Sequence, residues 1–422
     1  MHRDERLNIV YVSHYFPPEV NAPAVRVSEL ARLWRMRGHR VTVLTGFPNH
    51  PTGVIPPEYR GRRVQEEEVD GVRVVRTWVY AAANQGLIRR TFNYLSFLLS
   101  AILLGGRRLG RPDVVIGTSP QIFVAAAAWW LARRKRARFI FEVRDIWPEE
   151  IQAVGALENR LVLRLLEALE MFLYRRADRI VAVAQGTVDT LAARGVPRDK
   201  LVLIPNGVDI DEWAAPDRRE ARTRLGVDGD FVVSYIGTHG LAHRLDTVLD
   251  AAEQLANLPN LRILMVGEGA ERRRLELSAR ARKLNNVRFV GEVSRAQVRD
   301  YYSASDVCLV PLRRADLFTR NIPSKVYEIM ASGRPMIIGT EGESRALVEK
   351  AACGVAVEPE NSTAMAEAIR ALQSRPAWAH ELGHSGRRYV EAHNDRARLA
   401  DLYIDILRDT ATTRPAASGA GA

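Results

Sequence analysis

The feature that most constrains the fold is an alternation of short apolar runs with longer helical patterns, repeated in both halves of the chain. Runs rich in Val and Ile without polar alternation predict strands that are buried on both faces. They are Asn8–Ser13, Val41–Thr45, Val72–Thr77, Val114–Gly117, Phe139–Val143, Ile180–Ala184 and Leu201–Ile204, and then Phe231–Ile236, Leu261–Val266, Val287–Val290, Val307–Val310, Met336–Gly339 and Gly354–Val357. Helical periodicity lies between them, for example at Val25–Arg37, Asp246–Ala256, Glu271–Lys283, Ser324–Ala331 and Ser362–Leu372. The pattern predicts an α/β protein with two doubly wound parallel sheets.

The length of 422 residues also favours two domains, since about 150 residues suffice for one. A natural break follows the turn residues Pro205-Asn206-Gly207, where a strand ends and a polar stretch begins. We expect an amino-terminal domain, a linker, a second domain, a helix that packs back on the first domain and a disordered tail, at residues 1–205, 206–229, 230–394, 395–409 and 410–422. Ligands of open α/β sheets bind outside the carboxyl ends of the strands, so the turns after the strands are the candidate sites.

The distribution of charge argues against a nucleic-acid-binding protein, and the cysteine content argues against a disulfide-stabilised one. Residues 1–205 carry 31 basic and 20 acidic side chains, whereas the remaining residues carry 30 of each, so the whole net charge of +11 lies in the first half. This asymmetry argues against a uniformly basic coat, and we expect no nucleic-acid partner. Cys308 and Cys353 lie in apolar runs, which predicts buried thiols in a reducing cytoplasm.

We expect neither a signal peptide nor a transmembrane helix. The chain opens on charged residues, and its longest apolar stretch, Phe92–Leu104, is shorter than the about 20 residues that a bilayer span needs.

Two glycine-rich turns in the second half have residue types that can approach phosphate. The turn Gly237-Thr238-His239-Gly240 follows a strand, and Arg244 adds a forked cation suited to phosphate. The alternative is a tight turn with a solvated arginine. The next strand is followed by Gly267-Glu268-Gly269, which is compatible with phosphate or ribose, but the third glycine of the dinucleotide fingerprint is absent and dinucleotide binding is disfavoured. Glu268 is better explained as a charge at a helix amino terminus.

The densest candidate site is the helix that begins after Pro323. Ser324 and Lys325 stand at its amino terminus, where an anion is favoured, and Glu328 follows one turn later. Lys325 would meet phosphates while Glu328 reaches a ribose diol. The alternative is a Lys325–Glu328 surface pair of little energetic consequence.

Several motifs in this order resemble retaining glycosyltransferase family four, in particular the bacterial branch that builds capsule, O-antigen and colanic-acid-type polysaccharides. The motifs are Val10-Tyr11-Val12-Ser13-His14-Tyr15-Phe16-Pro17-Pro18-Glu19, Gly38-His39-Arg40-Val41-Thr42-Val43-Leu44-Thr45-Gly46, Pro48-Asn49-His50-Pro51-Thr52-Gly53, Asp145-Ile146-Trp147-Pro148-Glu149, Val202-Leu203-Ile204-Pro205-Asn206-Gly207-Val208-Asp209, the 237–244 turn and the helix after Pro323. The resemblance implies the GT-B fold, with two facing Rossmann-like domains and a cleft between them.

The resemblance also implies an activity, namely transfer of a hexosyl or N-acetylhexosaminyl group from a UDP- or GDP-sugar to a lipid-linked saccharide with retention of configuration. The implied catalytic residues are Arg244, Lys325 and Glu328. The implied donor-binding residues are Gly237, Thr238, His239, Gly240, Gly267, Glu268, Ser324 and Arg320. The implied acceptor-binding residues are His14, Pro18, Glu19, Asn21, Arg26, Arg144, Asp145, Trp147 and Glu149.

Three departures separate this chain from much of the family. Arg320 stands where a glutamate often lies eight residues before Glu328, Arg144-Asp145 replaces a His–Asp pair, and Asn21-Ala22-Pro23-Ala24 replaces a Gly–Gly loop. Neither a cofactor nor a metal is expected. Asp209-Ile210-Asp211 has the spacing of a metal-binding Asp-x-Asp, but it lies in the turn between the domains.

Basic residues surround the apolar Phe92–Leu104 segment, and more follow at 133–138. They suit an anionic membrane surface and a polyprenyl-pyrophosphate acceptor, so we expect a cytoplasmic protein peripheral to the inner face of the cytoplasmic membrane. The alternative for this helix alone is an internal element with solvated arginines. Two other functions remain open, namely a nucleotide-sugar epimerase of the same fold and a non-catalytic partner subunit, the latter because Arg320 replaces the usual glutamate.

Overall fold

The structure, a computed structural model, describes residues 6–412 except 20, 51, 83–86, 120, 147–158, 215 and 321, with the backbone alone at 87, 88, 316 and 317. The described residues form two compact units. The first unit comprises the residues up to Asn206 together with those from Ala397 onward, and the second unit comprises Gly207–Arg396. Each is an α/β unit built on a largely parallel sheet, as the alternation of strand and helix patterns predicts.

The strands are β1 (Asn8–Val12), β2 (Arg40–Gly46), β3 (Val64–Val69), β4 (Val72–Thr77), β5 (Val114–Thr118), β6 (Arg138–Val143), β7 (Arg179–Ala182), β8 (Leu201–Leu203), β9 (Phe231–Ile236), β10 (Leu261–Val266), β11 (Val287–Val290), β12 (Val307–Pro311), β13 (Met336–Gly339) and β14 (Gly354–Val357). The helices are α1 (Ala22–Met36), α2 (Leu87–Leu103), α3 (Ile122–Lys135), α4 (Arg160–Arg176), α5 (Gln185–Ala193), α6 (Arg218–Leu225), α7 (Asp246–Gln254), α8 (Arg272–Ala281), α9 (Arg295–Ala304), α10 (Ser324–Ala331), α11 (Glu343–Lys350), α12 (Ser362–Ser374), α13 (Pro376–His393) and α14 (Arg396–Thr412).

The sheet of the first unit has the order β3-β4-β2-β1-β5-β6-β7-β8, parallel except for β3. Side chains of α2, α3 and α4 pack on one face of it, and those of α1 and α14 pack on the other. The indole N–H of Trp34 in α1 donates a hydrogen bond of 3.0 Å to the carbonyl of Ala400 in α14. The last helix of the chain thus completes the core of the first unit. It extends to Thr412, so residues 410–412, expected in a disordered tail, are helical.

The sheet of the second unit has the order β11-β10-β9-β12-β13-β14, with every described pairing parallel. The stretch expected as a linker is partly helical and belongs to this unit. Asp217 caps the start of α6 by accepting the N–H of Glu220 at 2.9 Å, and Gly226 ends the helix in the left-handed conformation. Arg222 then donates to the carbonyl of Ala304 at 3.0 Å. The polar stretch that follows Pro205-Asn206-Gly207 therefore contains helix α6.

Strand β3 was not predicted, because its three consecutive glutamates show no strand pattern. It is an antiparallel edge strand whose glutamates meet arginines of β4. Arg73 pairs with Glu66 at 2.7 Å, and the buried Arg76 pairs with Glu67 at 2.5 Å. Cross-strand charge pairing therefore compensates for low strand propensity.

Cys308 and Cys353 are free and buried, as their apolar surroundings predict. Within the described part of the chain, we find no helix with the length and apolarity to cross a bilayer.

Candidate active site

The two glycine-rich turns of the second unit pack directly against each other. They follow β9 and β10, which are neighbouring parallel strands. The His239 N–H donates to the carbonyl of Glu268 at 2.7 Å, and the Glu271 N–H donates to the carbonyl of His239 at 2.9 Å. A Cβ built on Gly267, whose φ is +128°, would collide with the carbonyl of Gly237. The glycines are required because the two backbones touch.

Lys325, at the start of α10, points into the first of these turns. Its Nζ lies 4.4 Å from the centre of the Tyr235 ring and is buried without a hydrogen-bond partner among the described residues. A Cβ built on Gly237 would collide with this ammonium group. Burial lowers the pKa of Lys325 to about 8, although nearby Glu328 opposes the shift. A buried cation that has no partner among the described residues, aimed at a glycine turn beside a helix amino terminus, is an arrangement suited to a bound anion.

Two histidines flank the same aromatic ring. The rings of His239 and His243 each lie 5.7 Å from that of Tyr235, whose hydroxyl donates to the carbonyl of Thr238 at 2.6 Å. His239 is fully buried, and neither ring nitrogen has a hydrogen-bond partner in the part of the chain that is described. Burial, reinforced by neighbouring cations, lowers the pKa of both histidines to about 4. Sequence reasoning missed His243, although it immediately precedes Arg244 in the quoted turn.

Arg244, expected to meet phosphate together with Lys325, is directed elsewhere. It ends the 3₁₀ turn Leu241–His243 in the left-handed conformation, with φ +45°. Its side chain is 56% exposed, and its guanidinium pairs with Glu360 at 3.3 Å. The left-handed backbone aims the side chain at the loop after β14. The solvated-arginine alternative therefore describes Arg244 better than a phosphate ligand does.

Glu328 lies one turn below Lys325, as the helical spacing predicts. The Tyr302 hydroxyl donates to it at 3.4 Å. Burial raises the pKa of Glu328, and the nearby Arg295 and Lys325 oppose that shift. Ser324 is exposed at the amino terminus of α10. The Glu328 carboxyl therefore lies near two cations and one hydroxyl, and its oxygens can accept hydrogen bonds from a diol.

Two other residues were expected at the donor site, and the structure gives a role only to the first. The carboxylate of Glu268 pairs with Arg272 of α8, which is the helix-terminus alternative of the sequence analysis. Arg320 is exposed at the end of the 3₁₀ turn Asp316–Thr319.

In the first unit, three of the expected acceptor residues stabilise the fold. Asn21 caps α1 by accepting the Ala24 N–H at 2.9 Å. Glu19 accepts the N–H groups of Asn49 and His50, both at 2.9 Å, and burial raises the pKa of its carboxyl. The contacts of Glu19 join the loops after β1 and β2, and the contact of Asn21 caps α1. These structural roles account for the presence of both side chains.

Arg26, the third of them, is an internal cation. It forms an ion pair of 3.1 Å with the fully buried Glu142 of β6. Its remaining N–H groups donate to the carbonyls of Ile204 and Pro205 and to the amide oxygen of Asn206. Arg26 is therefore better described as a structural residue than as an acceptor ligand, because α1 turns its side chain inward and the protein uses its donors.

Arg144, His14 and Asn21 are acceptor candidates with buried polar atoms that lack a partner among the described residues, the atom of Asn21 being its Nδ2. The Nε and Nη1 atoms of Arg144, at the end of β6, are buried without a hydrogen-bond partner among the described residues, and burial lowers the pKa of this guanidinium. His14 lies among the rings of Tyr15, Tyr94 and Phe97, and burial lowers its pKa to about 3. Its Nδ1 also lacks a partner in the described part of the chain.

The remaining acceptor candidates lie nearby or outside the described residues. The Asp145 N–H donates to Ser119 Oγ at 3.1 Å beside Arg144, and Pro18 is exposed in the loop after β1. Trp147 and Glu149 lie outside the described residues.

Comparison with known proteins covers nearly the whole chain. Residues 21–207 match the model of the "Glycosyl transferase 4-like domain", and residues 217–389 match "Glycosyl transferases group 1". The chain is 26% identical over 413 residues to the "Putative colanic acid biosynthesis glycosyl transferase WcaI" of Escherichia coli K12, covering 95% of this chain and 99% of that one. It is 25% identical to the "Probable glycosyltransferase WbjE" of Pseudomonas aeruginosa, over 65% of this chain and 69% of that one.

Solved structures share the architecture at low identity. Sucrose-phosphate synthase from Thermosynechococcus elongatus superposes with a TM-score of 0.73 at 21% identity, covering 96% of this chain and 99% of that one. HepE of Anabaena in complex with UDP superposes with a TM-score of 0.71 at 17% identity, covering 96% and 100%. At these identities the likeness establishes the fold, which is GT-B.

Proposed function

Because this chain belongs to glycosyltransferase family four, we propose that it transfers a sugar from a UDP- or GDP-sugar to a lipid-linked saccharide, with retention of anomeric configuration, during synthesis of a cell-surface polysaccharide. The names of the relatives in Escherichia coli and Pseudomonas aeruginosa support a glycosyl transfer, and the first of them supports the polysaccharide. The UDP complex of HepE supports a nucleotide-diphosphate donor.

The observation that carries this proposal is the ammonium group of Lys325, which lies at the glycine turns without a hydrogen-bond partner in the described part of the chain. A nucleoside diphosphate leaves with developing negative charge, so its departure needs electrostatic stabilisation more than an acid. A phosphate about 4 Å from Lys325 would be attracted by about 4 kcal/mol at an effective dielectric constant near 20, before desolvation is subtracted. We assign the diphosphate to Lys325 and the amino terminus of α10, and the ribose diol to Glu328, with no metal in the mechanism.

We assign the acceptor to the first unit, with Arg144 as the group that meets its phosphate. The N–H groups of this buried guanidinium that lack a partner within the described ranges can donate to phosphate oxygens in a forked geometry. Asp145 lies beside it and can orient an acceptor hydroxyl. By analogy with the family, the hydroxyl attacks from the face of the departing diphosphate, whose oxygen takes the hydroxyl proton.

The lipid portion of the acceptor is matched by an apolar surface on the first unit. Helix α3 lies between α2 and α4, and α2 and α3 contain no acidic residue. On α2 and α4, the large apolar side chains that are more than half exposed are Phe92, Leu99, Leu103, Leu161 and Leu165. Exposed arginines among them are Arg89, Arg133, Arg134, Arg160 and Arg164. Exposed apolar side chains with arginines on the same and neighbouring helices fit an anionic bilayer surface. The sequence alone had indicated α2 and the basic residues 133–138, but not α4.

We expect the double substitution Leu161→Glu/Leu165→Glu to weaken binding to phosphatidylglycerol vesicles at least about tenfold, because it removes apolar area and adds negative charge. Co-sedimentation at low salt measures the effect. The matched control is Leu277→Glu/Leu402→Glu, which changes two exposed leucines of α8 and α14 that lie off this surface. Equal binding by all three proteins, or no binding by the unmodified chain, would refute the surface.

Gly237→Ala should lower affinity for the donor at least about tenfold, because the new Cβ displaces the Lys325 ammonium group and because alanine is strained at the φ of +147° of this residue. Gly240→Ala is the control, since its Cβ would lie 3.6 Å from Thr238 and its φ of −116° suits alanine. Thermal shift with nucleotide sugars compares the two variants. If both bind donor as the unmodified protein does, the turn is not the diphosphate site.

The function itself is tested by incubating the purified protein with UDP- and GDP-sugars, with and without a prenyl-pyrophosphate saccharide. A transferase forms lipid-linked product only when the acceptor is present, and NMR of the anomeric proton reports retention. An epimerase converts the free donor without acceptor, and a partner subunit binds nucleotide but forms nothing. Addition of a chelator should leave the rate unchanged, and its loss would contradict the metal-free mechanism.

A further inference from the structure

Two histidines on the exposed side of α13 bring one ring nitrogen each to the same place. His380 and His384 are both exposed, their Nε2 atoms lie 3.1 Å apart, and their ring centres lie 4.2 Å apart. Residues four positions apart are neighbours on one face of a helix. The segment His380-Glu381-Leu382-Gly383-His384 also has the His-Glu-x-x-His spacing with which helices bind zinc in metal-dependent hydrolases. The sugar transfer proposed above makes no use of this pair.

The separation of the two nitrogens fits a chelated metal ion. Bonds from zinc to imidazole are about 2.0–2.1 Å long, so an ion bound to both Nε2 atoms at their separation of 3.1 Å would have a bond angle of about 100°. That angle lies between the right angle of octahedral or square-planar coordination and the tetrahedral angle. The two neutral rings share a hydrogen bond, in which one Nε2 donates and the other accepts. An ion replaces this hydrogen bond when the donor ring moves its proton to Nδ1 through solvent, so that no proton is gained or lost.

The backbone that carries the pair is held in place by the opposite face of α13. Gly383 and Gly386 are buried on that face. A Cβ built on Gly383 would collide with the carbonyl of Gly333 in the turn after α10, and one built on Gly386 would lie 2.9 Å from the Cβ of Cys353. This close packing fixes the spacing of the two histidines on the helix, and sites on such rigid elements are more precise than sites on loops.

The carboxylate next to the pair is engaged elsewhere. Glu381 pairs with Arg388 at 2.7 Å and accepts the hydroxyl of Ser385 at 3.4 Å, so it is not placed as the general base that the same motif supplies in zinc hydrolases. Within the described ranges, we also find no group of three or more histidine, cysteine, aspartate and glutamate side chains arranged to hold a metal ion. The arrangement therefore favours metal binding by two imidazoles over metal-dependent hydrolysis.

We propose that His380 and His384 chelate a divalent transition-metal ion, with water completing its coordination. Imidazole suits Zn²⁺ and Ni²⁺, and two protein ligands leave the ion exchangeable. An ion that bridges one turn of α13 binds only the folded helix and thus stabilises the folded protein. The site lies outside the residues assigned to donor and acceptor, so the ion takes no part in sugar transfer.

Isothermal titration calorimetry of the full chain without an affinity tag, with ZnCl₂ and NiCl₂ as probes, tests the site. His380→Gln and His384→Gln should each weaken binding at least about tenfold, and the double variant should add little to either, because removal of one ligand already destroys the chelate. The matched control is His393→Gln, which changes another exposed histidine of α13 and should leave the affinity unchanged. Any further metal site elsewhere in the chain is common to all four proteins and cancels in the comparison.

Thermal unfolding gives a second readout. Saturating Ni²⁺ should raise the melting temperature of the unmodified protein and of His393→Gln but not that of His384→Gln, and EDTA should reverse the increase. Circular dichroism without metal should show that all variants are folded, since the substituted side chains are exposed. Equal affinity of the unmodified protein and the double variant for both ions, or a dissociation constant of the unmodified protein weaker than about 1 mM, would overturn the site.

Discussion

Lys325→Ala should lower the turnover of sugar transfer about 100-fold or more, equivalent to about 2.7 kcal/mol of lost transition-state stabilisation. The ammonium group is buried against Gly237 and Tyr235 without a partner among the described residues, so removing it leaves the diphosphate without its nearest fixed charge. The loss should fall on kcat as well as on donor affinity, because negative charge on the leaving group grows in the transition state. Steady-state kinetics with the donor identified by the binding screen gives both quantities.

Two controls separate this effect from general damage. Lys350→Ala removes an exposed lysine at the end of α11 and should leave kcat and stability unchanged. Arg244→Ala should lower turnover less than about fivefold, since its exposed pair with Glu360 contributes little. A near-normal rate for Lys325→Ala, or a severe loss for Arg244→Ala, would show that the diphosphate is bound differently.

Arg26→Met should destabilise the first unit by about 3–5 kcal/mol at neutral pH, because it strands the buried carboxylate of Glu142. Burial alone would raise the pKa of Glu142, but Arg26 and the Tyr11 hydroxyl hold it below its ordinary value. The stability from this pair is therefore present above the unfolded pKa and is lost as pH falls through the folded one. Urea unfolding followed by circular dichroism measures the change.

The pH dependence and a second substitution test the stated cause. The destabilisation by Arg26→Met should be smaller at pH about 5 than at pH about 7, since a stranded carboxyl that takes a proton is no longer charged. Adding Glu142→Gln should recover part of the loss by removing the unpaired charge. Arg73→Ala, which breaks the exposed pair with Glu66, should cost less than about 1 kcal/mol. A loss at Arg26 that is unaffected by pH and by Glu142→Gln would point to packing instead.

The fold was predictable from the sequence wherever an element is buried and therefore has a regular pattern of apolar residues. Strands such as Phe231–Ile236 and Leu261–Val266 lie where their uninterrupted apolar runs indicate, because both faces of a central strand must be covered. The prediction failed at β3 and α6, in which half or more of the residues are charged. Both elements are stabilised by partners outside their own segments, and such pairings leave no local periodicity.

The sequence predicted where the candidate site lies, but only some of the residues that form it. The spacing that joins Lys325 to Glu328 is helical, so their common face followed from the sequence. The direction of Arg244 depends on a left-handed backbone at a non-glycine residue, and that of Arg26 on a buried carboxylate 116 positions away. The approach of His243 to the ring of Tyr235 becomes visible only in the folded chain.

The return of α14 to the first unit has a consequence for biosynthesis on the ribosome. Residues up to Asn206 emerge first, yet the apolar face around Trp34 is covered by Leu399, Ala400 and Tyr403, which are made last. At about 5–20 residues per second, that face stays open for roughly 10–40 s while the second unit is translated. We therefore expect chaperones to bind the nascent chain during this interval. A premature stop before Ala397 should yield an aggregation-prone fragment, even though the strands of both sheets are present.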